Sequence, residues 1–256
     1  MPLNRREFLN LATAGVVTGL MASSPLARAA TSSKIKAIAF DGFAIWDPRP
    51  ISALAEQLFP GKGADLSNAW RTRQFDYQWL RVLIGRYADF WQATDDALVF
   101  SAEMLKLDLT PDKRKQLMNS YLELKAWPDV LSALQSLKSM GIRLAPLSNL
   151  TPAILDADIK SSGLQGIFEQ VLSTDRIKTY KPDPRAYQMA IDAFKLKREE
   201  ILFIPSSGWD AAGAKSFGYT TFWVNRLNLP AEKLGVTADA VGQNLTDLVG
   251  FVKAAR

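Results

Sequence analysis

Apolar and polar positions change their period along the chain, and the changes divide it into segments. Lys36-Ala37-Ile38-Ala39-Phe40 is a short, nearly continuous apolar run that stops at Asp41-Gly42. Such a run, bounded by a turn signal, predicts a buried strand with a loop at its carboxyl end. From Ile51 to about Leu124 the spacing becomes helical, with Trp70, Phe75, Tyr77, Trp79, Leu80, Leu83 and Tyr87 recurring at helical intervals. An aromatic stripe of this kind is more often core than cofactor site. Thr110-Pro111 supplies a hydroxyl cap followed by Pro at the first helical position, a helix start. The segment contains no convincing strand.

After Trp127-Pro128 the period alternates. Val130 to Met140 is helical and ends at Gly141, and Ile142 to Leu147 is a strand. Thr151-Pro152, Asp183-Pro184 and Asn244 open further helices. Ile167 to Leu172, Ile201 to Ile204 and Thr221 to Val224 are strand-like. Strands alternating with helices predict a parallel sheet covered on both faces. The expected architecture is α/β. A Rossmann-like core of residues 34–49 and 125–256 is split after its first strand by a helical cap of residues 50–124.

The first 29 residues have another pattern. Arg5-Arg6-Glu7-Phe8-Leu9 precedes a modest apolar stretch from Leu11 to Met21, then Ala27-Arg28-Ala29. A basic start, a short apolar middle and a small-x-small site form an export signal. Paired arginines followed by x-Phe-Leu resemble the twin-arginine type. The expectations are cleavage after Ala29, a periplasmic or secreted protein, the twin-arginine translocation machinery as a partner, and no stable membrane insertion afterwards.

Composition narrows the chemistry. Hydrophobic residues make up 48% and charged residues 22%, enough for a large core and too ordered a mixture for wholesale disorder. The net charge of +5 is dispersed and forms no basic block, so nucleic acid is not an expected partner. The chain has no Cys and no His. Disulfides, thiolate metal sites and the Ser-His-Asp triad are thereby excluded. Acid–base or nucleophilic work must rest on Asp, Glu, Lys, Ser or Tyr.

A parallel sheet binds ligands beyond the carboxyl ends of its strands. The polar residues there are Asp41, Ser148-Asn149, Lys181 and the loop from Ser206 to Asp210. A carboxylate in the apolar setting Phe40-Asp41-Gly42-Phe43 needs a partner, and Lys181 can be that partner. A fixed, ionised carboxylate is a competent covalent nucleophile. Asp210, just after Gly208-Trp209, is either a site residue or only a helix cap. Ser207 is a loop serine or a site residue. Phe90 is pocket lining or cap core.

The order Phe40-Asp41, Leu147-Ser148-Asn149, Tyr180-Lys181-Pro182-Asp183-Pro184 and Ser206-Ser207-Gly208-Trp209-Asp210-Ala211 resembles the four motifs of the haloacid dehalogenase superfamily. Trp70-Arg71-Thr72-Arg73-Gln74, Tyr77-Gln78-Trp79-Leu80-Arg81 and Gln92 to Leu98 resemble the cap of its L-2-haloacid dehalogenases. The resemblance runs from Lys36 to the C-terminus. It implies that Asp41 attacks C2 of a small anionic 2-haloacid and displaces halide, with inversion. Arg71 would stabilise the halide with Asn149 and Trp209. Ser148 and Lys181 would hold the substrate carboxylate and keep Asp41 charged. Asp210 would activate water for hydrolysis of the aspartyl ester, Tyr187 would support Lys181, and Phe90 would line the pocket. No metal or other cofactor is implied.

The family usually has Asp-x-Tyr-Gly-Thr at the nucleophile, where this chain has Asp41-Gly42-Phe43-Ala44-Ile45. It usually has Ser-Ser-Asn in the last motif, where this chain has Pro205-Ser206-Ser207. Superfamily phosphatases place a second Asp where Phe43 stands, which weighs against a phosphatase. The alternatives are such a related hydrolase, or an exported binding protein that has lost turnover. A homodimer formed through the aromatic-rich cap is also an expectation.

Overall fold

The computed structural model describes residues 35–255. The expected export signal at residues 1–29 lies outside the described residues. The first strand, β1 (Ala37–Phe40), is wholly buried. Its side chains alternate between two apolar clusters. Ile38 and Phe40 join one, and Ala37 and Ala39 the other, as the twofold period of a strand requires. The chain then makes one short helical turn, α1 (Gly42–Ile45), and a two-residue strand, β2 (Trp46–Asp47).

Four helices follow: α2 (Arg49–Leu58), α3 (Gly63–Leu83), α4 (Phe90–Met104) and α5 (Pro111–Asn119). They form the cap. The chain returns through β3 (Lys125–Ala126), which pairs antiparallel with β2, Trp46 opposite Ala126. Departure and return of the cap are thus adjacent strands. Trp127 ties this junction to the nucleophile loop, donating from its backbone to Ile45 O at 3.0 Å and from its indole to Phe43 O at 3.1 Å.

The rest of the chain builds α6 (Val130–Ser139), β4 (Arg143–Ser148), α7 (Pro152–Ser161), β5 (Leu172–Ser173), α8 (Pro184–Phe194), β6 (Ile201–Ile204), α9 (Gly208–Phe217), β7 (Thr220–Val224), β8 (Ala240–Gly242) and α10 (Leu245–Ala254). The main sheet has the order β5-β4-β1-β6-β7-β8, and its pairs are parallel. Thr110, Thr151, Asp183 and Asn244 each cap a helix with their side chains, as their positions predict. Pro146 is tolerated within β4 because the outer edge pairs with β5 only at Leu147 and Ser148.

One expected strand is corrected and one further strand is present. The apolar run Ile167 to Leu172 is strand only at its end. Ile167, Phe168 and Val171 instead pack against the core from a turn, so burial rather than a ladder explains their apolarity. The short edge strand β8 carried no alternation signal, and its Val241 is exposed. The apolar positions of α3 also divide. Trp70 is buried, whereas Leu80 and Leu83 are exposed. Among the described residues, no helix is long and apolar enough to cross a membrane.

One buried acid stands at the cap junction. Asp158 on α7 is fully buried, and its Oδ1 accepts from Leu124 N at 3.1 Å. Its Oδ2 has no partner among the described residues. Burial pushes its carboxyl up to about 8. A folded-state value above the unfolded one means stability that is complete at low pH and lost as pH rises through about 8. Asp158→Asn keeps the acceptor for Leu124 and removes the charge. Thermal melts are expected to show the variant more stable than the parent at pH 9, with the gap narrowing as pH falls and closing only near pH 4, the ordinary carboxylate value. A gap that does not depend on pH would contradict this.

Candidate active site

The carboxyl end of β1 places Asp41 between β4 and β6, and its backbone N–H donates to Ile204 O at 2.8 Å. The Asp41 carboxylate has three donors. Lys181 Nζ lies 2.8 Å from Oδ1, while Ser206 Oγ and Phe43 N donate to Oδ2 at 2.5 and 3.1 Å. Gly42 lets Ser148 approach closely, since a Cβ there would come within 2.7 Å of Ser148 Oγ.

Behind Asp41 lies a second carboxylate. Lys181 is fully buried and also contacts Asp210 Oδ2 at 2.6 Å. Asp210 is fully buried in the first turn of α9, where the helix N-terminus favours an anion. Its other oxygen accepts from Tyr187 OH at 2.7 Å. Burial pushes the Asp210 carboxyl up to about 6, against the opposing pull of Lys181. For Lys181, burial acts downward, but the Asp210 and Asp41 charges outweigh it and hold the ammonium above its ordinary value. Burial and the Asp210 charge hold the Tyr187 phenol well above its own. Removing one member of such a buried ion group typically costs about 3–5 kcal/mol, because the remaining charges lose their compensation.

The backbone of Lys181 is fixed from both sides. Its N–H donates to Asn149 Oδ1 at 2.9 Å, and its carbonyl accepts from Trp79 Nε1 at 3.1 Å. Asn149 comes from the core and Trp79 from the cap. Phe75, Trp79 and Trp209 form an aromatic contact across the same boundary, with Phe75 and Trp209 centroids 4.9 Å apart.

Core and cap together line a half-open cavity of about 290 Å³ in front of Asp41. The core side supplies Phe43, Ser148, Asn149, Leu150, Ser207 and Trp209. The cap side supplies Arg71, Thr72, Gln74, Phe75, Gln78 and Phe90. Arg71 makes no ion pair or hydrogen bond with the described residues, so its guanidinium is available to an anion. Phe90 serves both roles the sequence left open, lining the cavity and packing edge-on against Tyr121 in the cap.

Three expected residues do not line the cavity: Lys181, Asp210 and Tyr187. Lys181 stands behind the nucleophile, so its ammonium meets Asp41 and Asp210 rather than a substrate carboxylate. Asp210 is no mere cap, since Ser207 holds the cap position of α9. Asp210 is the counter-ion of Lys181, and each of its oxygens keeps a further lone pair beyond the contacts to Lys181 and Tyr187. Tyr187 supports Asp210 rather than Lys181. Gly213 makes this possible, because a Cβ there would collide with the Tyr187 hydroxyl.

Ser206, Gln74 and Gln78 are functional candidates that sequence reasoning missed. Ser206, not Ser207, is the serine that reaches Asp41. The two glutamines had a legible signal. The buried face of α3 runs Leu66, Trp70, Gln74, Gln78, and it turns polar where it passes over the cavity. A helical face that changes character in this way marks something other than core.

Known proteins share this fold and much of this sequence. The profile of the haloacid dehalogenase-like hydrolases matches residues 15–218. The (S)-2-haloacid dehalogenase of Pseudomonas sp. (strain YL) is 42% identical over 222 residues, 86% of this chain and 96% of that protein. The crystal structure of the L-2-haloacid dehalogenase RSc1362 superposes with a TM-score of 0.84 at 43% identity, covering 86% of this chain and 99% of that one. That of the Xanthobacter autotrophicus L-2-haloacid dehalogenase with chloropropionic acid covalently bound gives 0.79 at 30% identity, covering 86% and 98%. The chain belongs to the haloacid dehalogenase-like hydrolases, in the branch of the L-2-haloacid dehalogenases.

Proposed function

We propose that this protein hydrolyses 2-haloalkanoic acids to 2-hydroxy acids with inversion, as an exported enzyme. One observation carries the reading. Asp41 faces a half-open cavity with a buried ammonium at its back, and an unpaired Arg71 stands on the cap wall. A relative in the same branch holds chloropropionic acid covalently, which supports a covalent intermediate here.

A carboxylate oxygen of Asp41 attacks C2 from the side opposite the halogen. The C–O bond forms as the carbon–halogen bond breaks, and the halide leaves with the bonding pair toward Arg71. Backside attack inverts C2. Water then adds to the ester carbonyl of Asp41 and expels the 2-hydroxy acid. Asp41 regains its carboxylate and one proton is released. While Asp41 is a neutral ester, Asp210 remains as the counter-ion of Lys181. Ser148 and Arg71 are the cavity groups suited to the substrate carboxylate and the anionic leaving group.

Halide release from each enantiomer of 2-chloropropionate tests the reaction. Release is expected from the (S)-form, and Asp41→Asn is expected to lower it on the order of 10³-fold or more. Release that is undiminished in the variant would refute the assignment. A binding protein without turnover would yield a ligand-dependent melting shift but no covalent adduct on Asp41.

The pH dependence follows from Asp210. Its carboxyl, raised to about 6, is fully ionised only above that value, and protonation as pH falls removes one partner of Lys181. We expect kcat/KM to fall below about pH 6. Tyr187→Phe removes a hydrogen bond that lowers the Asp210 value, so this acid limb should move to higher pH. The loss at pH 8 should be about tenfold, the scale of one buried hydrogen bond. A pH–rate profile with an unmoved limb would assign it to another group.

Export rests on the pattern of residues 1–29. Mass spectrometry of the secreted or periplasmic protein is expected to find Ala30 at its N-terminus. Arg5→Lys with Arg6→Lys is expected to leave the precursor in the cytoplasm through loss of recognition by the twin-arginine machinery. An unchanged distribution would remove this part of the proposal. The expected homodimer would draw on the exposed Leu80, Leu83 and Ile84 of the cap.

A further inference from the structure

Gln78 is 3% exposed, yet it carries a donor with no partner among the described residues. The orientation of its amide follows from a chain of hydrogen bonds. The backbone N–H of Lys181 can only donate, so the atom of Asn149 facing it at 2.9 Å is Oδ1. Thr174 Oγ1 also donates to this oxygen, at 3.2 Å. The other end of Asn149 is therefore Nδ2, which donates to Gln78 Oε1 at 3.2 Å. This fixes Nε2 of Gln78 as the free end. Both oxygens of the amide pair already accept a hydrogen bond, and Gln78 Nε2 is left as the unpartnered donor group.

Position says which group these donors meet. In-line displacement sends the halide away from Asp41, and the wall facing the core nucleophile belongs to the cap. Gln78 is on that wall, two helical turns after Arg71 on the same helix and bonded to Asn149. We propose that Gln78 determines halogen specificity, with its Nε2 donating to the halide as it leaves. This rests on the dehalogenase reading above and deepens it.

A carbon-bound halogen is a poor acceptor, whereas the departing halide carries growing negative charge. A donor aimed at it stabilises the transition state more than the bound substrate. The gain is largest for the halide that concentrates charge most. Removal of the donor should therefore slow chloride release most, bromide release less and iodide release least, without weakening substrate binding.

The test is single-turnover halide release, with enzyme in excess, from 2-chloro-, 2-bromo- and 2-iodopropionate. This isolates the first step from ester hydrolysis. Gln78→Met keeps the length and removes the amide. Gln78→Glu keeps the acceptor for Asn149 while removing the donor, and serves if the first variant fails to fold. Both should slow chloride release roughly tenfold to a hundredfold. The effect should diminish in the order chloride, bromide, iodide, and the half-saturating concentration for Gln78→Met should stay unchanged. Equal slowing for all three halogens would overturn the proposal in favour of a structural role. A raised half-saturating concentration at an unchanged rate would overturn it in favour of carboxylate binding. If the parent protein released none of the three halides, the dehalogenase reading itself would fail, and that result needs no variant.

Discussion

The ammonium of Lys181, fully buried between Asp41 and Asp210, sets the terms for the rest of the molecule. An unpaired charge at that depth is very costly, so two carboxylates must be brought to it from distant parts of the chain. Asp41 comes from the end of β1, and Asp210 from the first turn of α9. The central pairing of β1 with β4 and β6 holds one side of the arrangement. The close approach of α8 and α9 at Gly213 holds the other, placing the Tyr187 hydroxyl on Asp210. The residues nearest the chemistry are thus held by packing that is itself core structure.

The cap takes part in the same network. Trp79 binds the Lys181 carbonyl, and neighbouring Gln78 binds Asn149, whose oxygen holds the Lys181 N–H. Adjacent residues on one cap helix therefore act on the two backbone groups of a single core residue. The cap wall of the cavity and the placement of the ammonium behind the nucleophile are one arrangement, with Arg71 and the polar face of α3 part of that wall.

Much of this was legible along the chain. Helix starts were readable because Thr110, Thr151, Asp183 and Asn244 act locally through their own side chains. Asp41, Lys181 and Asp210 were readable as polar residues at strand ends in a parallel sheet, and their motifs added the order. The directions of the contacts were not readable. Nothing local distinguishes Ser206 from Ser207, and only the turn into α9 decides which hydroxyl reaches Asp41. Nothing local shows that Asp210 faces a lysine and a tyrosine rather than water. Ile167 to Val171 misled because an apolar run serves packing as readily as a ladder.

The antiparallel pair β2–β3 has a further consequence. Because Trp46 faces Ala126, the core experiences the intervening four-helix segment as if it were a hairpin loop. Residues from Arg49 onward to the return strand can be lengthened, shortened or exchanged without breaking a rung of the main sheet. Asp41, Lys181 and Asp210 all lie outside that interval, while the cap wall of the cavity lies within it. The bond-making apparatus and the cap wall of the cavity thus lie on different stretches of chain, joined where Trp79 and Gln78 meet Lys181 and Asn149.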